Sequence, residues 1–129
     1  MKQNAVVFFV SAMLLASSCA QQADTFGRLD LIKWRADRGG CGGVRATQLA
    51  DFKEIEGDLL AKSSNEIGDL LGKPDIQQLA ERNQKFYIYF VEKGTQCDNI
   101  TNPSAAMKVV IRLNAVGLVS EITYQRELV

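Results

Sequence analysis

The chain contains no histidine, and its 129 residues include only 2 prolines and 1 tryptophan. Without imidazole, zinc sites built on His ligands and the Ser-His-Asp and Cys-His catalytic systems are excluded. So little proline, with 47% apolar and 23% charged residues, excludes a disordered or low-complexity chain. An excess of charge of either sign is missing too, since 15 Lys+Arg balance 15 Asp+Glu. Nucleic acid is therefore set aside as a partner, because a protein that neutralises phosphates needs a basic face. The length suits one domain rather than two.

Long apolar runs are absent with one exception. Residues 5–16 (AVVFFVSAMLLA), broken only by Ser11, follow Met1-Lys2 and precede Ser17-Ser18-Cys19. A positive start, an apolar stretch of about 7–15 residues and small residues after it describe a secretory signal peptide, expected here over residues 1–18. The run falls short of the roughly 20 apolar residues of a membrane-spanning helix. Leu15-Ala16-Ser17-Ser18-Cys19 resembles a bacterial lipobox with its leucine one position further out than usual. Relaxed forms ending in Ser-Cys occur among lipoproteins of Bacteroidota. On this reading Cys19 carries lipid, residues 19–24 form a polar tether and residues 25–129 form the domain. Acyl chains, at about 0.8 kcal/mol per buried CH₂, then hold the protein at a membrane. The expected location is the cell envelope, as an outer-membrane lipoprotein facing the periplasm or the surface. The other reading is an ordinary secreted protein cut near Ala16 or Ala20.

Cys41 and Cys97 remain, 56 positions apart in loop-like contexts, Gly39-Gly40-Cys41-Gly42-Gly43 and Gly94-Thr95-Gln96-Cys97-Asp98-Asn99. In an oxidising compartment the pair is expected to form a structural disulfide, which the chain-entropy relation values at about 4 kcal/mol. The alternative is two free thiols, one of them reactive. Two thiolates without His or CxxC spacing do not fill a tetrahedral metal shell, so no metal is expected. The glycines around Cys41 do not form a phosphate cradle, because no strand precedes them and no GK[ST] closes them.

Residues 24–38 carry Leu29, Ile32 and Ala36 at helical spacing, predicting a helix of about three turns that Gly39-Gly40 stops, with Trp34 as a core anchor. Residues 44–62 carry Leu49, Phe52, Ile55, Leu59 and Leu60 on one stripe and predict a second helix. Ser63 and Glu66 match a capping box, and Gly72-Pro74 mark the stop of a two-turn helix, with Gly72 expected as a left-handed C-cap. Residues 85–91 (KFYIYFV) form the strongest strand, Phe86, Ile88 and Phe90 on one face, Tyr87, Tyr89 and Val91 on the other. Residues 107–114 alternate, predicting Met107, Val109, Ile111 and Leu113 inward and Lys108, Arg112 and Asn114 outward. Ala115-Val116-Gly117 predicts a hairpin turn into residues 118–125, and residues 92–104 read as a polar, flexible connection. Helices followed by strands predict an α+β fold, with N-terminal helices on one face of a three-stranded antiparallel β-meander. Residues 76–79 allow a short extra strand.

Residues 66–75 (EIGDLLGKPD) resemble the helix ending in LGxPD of small BamE/SmpA-OmlA-type lipoprotein domains. In those domains an aromatic strand and a hairpin follow, as Tyr87-Ile88-Tyr89-Phe90 and residues 108–119 (KVVIRLNAVGLV) do here. The resemblance runs from about Asp51 to Tyr124 and implies two helices on a three-stranded sheet, an envelope location and a scaffold or assembly role. The part with Trp34 and Cys41 lies outside it and resembles exported proteins of Bacteroidota.

No convergent catalytic set emerges, and the chain is read as non-enzymatic and without a cofactor. Most carboxylates, from Asp37 to Asp75 and beyond, fall on faces expected to be solvated. Glu54 and Asp58, four apart, read as a solvated helix face rather than a cation site. Tyr87, Tyr89 and Tyr124 form a candidate partner surface if one face of the sheet is open; the alternative is cover from the 92–104 connection or the N-terminal helix. The expected function is binding of another envelope protein. The alternative is a secreted inhibitor-like or ligand-binding module of the same fold, similar to β-lactamase-inhibitor-like domains. A third reading, an enzyme using Cys41 or Cys97, requires a free thiol that titrates near neutral pH.

Overall fold

The structure, a computed structural model, describes residues 22–129. The expected signal peptide (residues 1–18), Cys19 and the first part of the expected tether lie outside the described residues.

The described residues form an α+β arrangement of four α-helices and two antiparallel sheets. A small hairpin, β1 (Thr25–Phe26) and β2 (Leu29–Asp30), leads into α1 (Leu31–Ala36), a glycine-rich turn, the single turn α2 (Val44–Thr47), α3 (Leu49–Leu59) and α4 (Ser64–Leu71). Then β3 (Ile76–Leu79), β4 (Lys85–Phe90), β5 (Lys108–Leu113) and β6 (Val119–Gln125) make one antiparallel sheet in chain order. The meander thus has four strands, not three. The extra one is residues 76–79, paired with β4 from Ile76↔Ile88 to Leu79↔Lys85.

Two helical expectations are corrected. Residues 24–38 begin as a hairpin, because Gly27 sits at φ 59° and a Cβ there would meet Ile55 Cγ2 at 2.6 Å, so the chain must reverse and only glycine allows it. The helix starts only after Asp30, whose carboxylate accepts from Lys33 N at 3.0 Å and caps it. Residues 44–62 divide at Gln48 and end at Leu59, leaving Leu60 49% exposed beyond the stripe. The capping box of α4 forms as expected: Ser63 Oγ accepts from Glu66 N, and Glu66 Oε2 from Ser63 N. Gly72 ends that helix at φ 79° and ψ 179°, with the positive φ that favours glycine but outside the left-handed helical region.

The helices cover one face of the four-stranded sheet. Leu31 and Trp34 of α1, Phe52, Ile55 and Leu59 of α3, and Ile67 and Leu71 of α4 pack on Tyr89, Val109, Ile111, Leu113 and Val119. Trp34 is the anchor, fully buried and stacked on Phe52 with ring centroids 4.9 Å apart. Burying a large apolar side chain of this kind contributes roughly 1.5–3 kcal/mol. Strict alternation would put Val119 on the opposite face from Ile122 and Tyr124. A bulge resolves this: Leu113 pairs with Val119 and Arg112 with Glu121, so Ser120 is the extra residue and Val119 turns inward.

The second face is covered as well. Ile88, Phe90, Ala106 and Val110 are buried there, with Val129 packed against them. Lys108, expected outward, is fully buried; its Nζ donates to Ser104 O at 3.0 Å and to Glu127 O, 5.6 Å from the centre of the Phe90 ring. Burial pulls its pKa below the ordinary lysine value. The 92–104 connection is not a flexible link. Gln96 and Ser104 are buried; Gln96 Nε2 donates to Gly39 O and Glu92 O, and Ser104 Oγ donates to Gln96 Oε1.

Candidate functional site

Asp37, Arg45 and Asp75 meet at the end of the sheet where Phe90 pairs with Lys108. Asp37 follows α1 and organises the glycine-rich turn: its Oδ1 accepts from Gly42 N at 2.6 Å and its Oδ2 from Arg45 N at 2.9 Å. That places Arg45 on α2 with its side chain running inward, its guanidinium 5.0 Å from the Trp34 ring and 5.7 Å from the Tyr89 ring. Arg45 Nε donates to Trp34 O at 2.8 Å, and Nη1 donates to Phe90 O at 3.1 Å and to Asp75 Oδ2 at 2.7 Å. Asp75 accepts in addition from Gly39 N and Phe90 N. Both side chains of this ion pair are 1% exposed.

A buried pair of this kind depends on further hydrogen bonds, supplied here to Arg45 Nε and Nη1 and to both oxygens of Asp75. The result joins four chain segments: α1 through Trp34 O, the glycine-rich turn through Gly39, the segment after α4 through Asp75, and β4 through Phe90. Gly40 makes the close approach possible. It sits at φ 67°, and a Cβ there would lie 2.7 Å from Phe90 O.

The same turn carries Cys41, bonded to Cys97 with Cα atoms 5.7 Å apart. The expected disulfide is therefore present, and neither sulfur offers the free thiol that the enzyme reading required. Between the turn, Lys73–Asp75 and residues 96–100 lies a groove of about 500 Å³. The half-buried Cys41, the exposed Cys97 and the buried Pro74 are part of its lining. Arg38, Lys73, Asp98 and the 39% exposed Ile100 stand at its rim. Cations, a carboxylate and an apolar side chain thus stand around a groove braced by the disulfide.

The tyrosines do not form the surface expected of them. Tyr89 is fully buried under the helices and donates its hydroxyl to Gly72 O at 2.7 Å. Tyr87 and Tyr124 are half-buried on the same covered face, and the Tyr124 hydroxyl is hydrogen-bonded to Glu56. Burial pushes both the Tyr89 and the Tyr124 hydroxyl upward in pKa, opposed at Tyr89 by Arg45 and reinforced at Tyr124 by Glu56. They stay neutral and serve as packing with a polar tip. Glu54 and Asp58 are exposed on α3, a solvated face. Cys19 lies outside the described residues.

The expectation of solvated carboxylates fails at Asp37 and Asp75, whose side chains are buried with Arg45. One signal was available: an aspartate directly after the Gly-Lys-Pro stop of α4 continues neither the helix nor the next strand, so its side chain is free to serve another segment. No protein-family model, no curated protein and no solved structure matches this chain.

Proposed function

We propose that this protein is exported, lipid-anchored through Cys19 and non-enzymatic, and that it binds another envelope protein through the braced groove rim. The observation that carries the reading is the double fastening of that rim, covalent through Cys41–Cys97 and ionic through Arg45–Asp75. Rigid exposed loops lower the ordering cost of association, which favours a contact surface. A disulfide of this span belongs to an oxidising compartment, in keeping with the leader-like residues 1–18. The ion pair is hydrogen-bonded to main-chain groups and its side chains are only 1% exposed, which supports a structural part for it. A scaffold or assembly role is what the resemblance to BamE/SmpA-OmlA-type domains implies.

The test is photo-crosslinking in intact envelopes from a reactive residue at Ile100, with Leu79 as control. Leu79 is 78% exposed and lies at the opposite end of the sheet. One defined protein adduct from position 100, lost when Lys73→Glu is added and absent from position 79, supports the reading. Equal or no adducts from both positions would count against it. A second reading, a secreted inhibitor-like or ligand-binding module, draws on the groove itself, whose volume of about 500 Å³ falls within the range of ligand sites. Soluble, lipid-free protein in the medium favours that alternative.

A further inference from the structure

A second groove lies away from the disulfide, between the β1–β2 hairpin and α4, with a volume of about 350 Å³. Ala23, Phe26 and Leu70 supply its apolar wall, and Lys62, Glu66 and Asp69 its polar edge. Lys62 lies along this wall with Nζ 5.7 Å from the centre of the Phe26 ring, an aliphatic stem on apolar surface with its charge at the margin. Val119 N donates to Lys62 O and Ser63 bridges to Leu118, which places the 36% exposed Leu118 beside Lys62 at the edge of this groove.

The chain enters this groove from its N-terminal side. Gln22, the first described residue, belongs to the lining, and Ala23 is pinned by Arg35 Nη2, which donates to its carbonyl at 3.0 Å. On the lipoprotein reading, on which this inference rests, only Cys19, Ala20 and Gln21 precede Gln22 in the mature chain. Three residues reach at most about 10 Å when fully extended. A lipid on Cys19 in a bilayer therefore brings the groove to the membrane surface.

We infer that the groove between the β1–β2 hairpin and α4 is a membrane-docking face that seats on a zwitterionic bilayer interface. Phe26, Leu70 and Leu118 enter the boundary between headgroups and acyl chains. Lys62 meets the phosphate of a phosphatidylethanolamine headgroup, and Glu66 and Asp69 meet its ammonium group. One cation against two carboxylates disfavours an anionic surface.

The test uses the native mature protein in vesicles, with a photoreactive residue at the exposed Asp69, at Leu118 or, as control, at Asn99. Phospholipid adducts from positions 69 and 118 are expected in several-fold excess over position 99. Their yield should fall when phosphatidylglycerol replaces phosphatidylethanolamine. Equal yields at all three positions, a preference for phosphatidylglycerol, a bond from position 69 to the protein's own acyl chain, or adducts only to another protein would each overturn the inference. The intact mass of the same sample reports the acyl groups on Cys19 separately. A mass without them removes the lipoprotein reading itself, whereas an acylated protein with no lipid adducts at positions 69 and 118 removes only the docking face.

Discussion

The two ends of the four-stranded sheet are held by different physics. At the end where Leu113 pairs with Val119, short-range devices suffice. Asn114 Oδ1 accepts from Val116 N and Leu118 N, Gly117 closes the turn, and the Ser63–Glu66 box caps α4 beside it. At the end where Phe90 pairs with Lys108, the chain buries Asp37, Arg45, Asp75 and Lys108 and adds the disulfide. Buried charge is costly, and it is concentrated where regular elements are scarce: a glycine-rich turn, a one-turn helix and a thirteen-residue connection over residues 92–104. Irregular backbone there has few ladder partners, so side chains and a covalent bond satisfy and position it. Rigidity is concentrated at the loop-rich end, which is why its groove rim is the surface we propose for recognition.

The largest effect is expected from breaking the buried pair. Asp75→Ala or Arg45→Ala leaves a buried charge without its partner and should cost about 3–5 kcal/mol in urea denaturation. The sharper variant is the double replacement Arg45→Met with Asp75→Leu. Apolar replacement of a buried pair is often neutral, but here Gly39 N and Phe90 N lose their acceptor, and each buried orphan costs about 1–3 kcal/mol. The double variant should therefore stay destabilised; wild-type stability would show that the fastening is dispensable. Removing the disulfide with Cys41→Ser and Cys97→Ser should cost about 2–5 kcal/mol, the 56-residue separation placing it toward the upper part of that range. Because Gly39 and Cys41 sit in one turn, the disulfide and Asp75 deletions should couple by about 0.5–3 kcal/mol in a double-mutant cycle. Strict additivity would mean the two fastenings act on separate units. At the other end Ser63→Ala removes one cap and should cost only about 0.5–2 kcal/mol. A loss as large as that of Asp75→Ala would erase the contrast between the ends.

What could be read from the residues follows the same division. Local signals survived: the α4 box, Trp34 as anchor, the alternation of β4 and β5 and the hairpin at Gly117 all depend on neighbours within a few positions. The four-strand count was within reach, since Ile76–Leu79 lies between a proline stop and the aromatic strand. Long-range facts were not legible. Nothing near Asp75 names Arg45, thirty positions earlier, as its partner, and nothing near Lys108 announces that the C-terminal residues fold across it. The parity of β4 was right but its orientation was open, because a strand with Phe86, Ile88 and Phe90 opposite Tyr87 and Tyr89 is apolar on both faces. Helices settled on the tyrosine side, and the candidate surface disappeared with them. The groove rim is assembled from three segments joined only by the fold, so no local pattern marks it.

The smallest effect tests the outermost fastening of the loop-rich end. Arg126 Nη1 and Nη2 donate to Glu92 Oε2 and Oε1 at 2.5 and 2.8 Å, tying the segment after β6 to the start of the 92–104 connection. The pair is exposed, Arg126 at 57% and Glu92 at 36% for the side chains, so solvent and salt weaken it. Hydrogen bonding to Arg126 holds the Glu92 carboxyl below its ordinary range. A carboxyl whose folded pKa lies below its unfolded value adds stability that is complete above the unfolded pKa and disappears as pH falls through the folded one. Wild type should therefore lose slightly more stability than Arg126→Gln between neutral pH and pH about 3, and the two urea midpoints should converge at the acid end. Raising the salt should narrow the gap at neutral pH, whereas the gap between wild type and Asp75→Ala should persist, because that pair is shielded from ions. If both gaps shrink alike, the buried pair is open to solvent and the two ends differ less than their geometry implies.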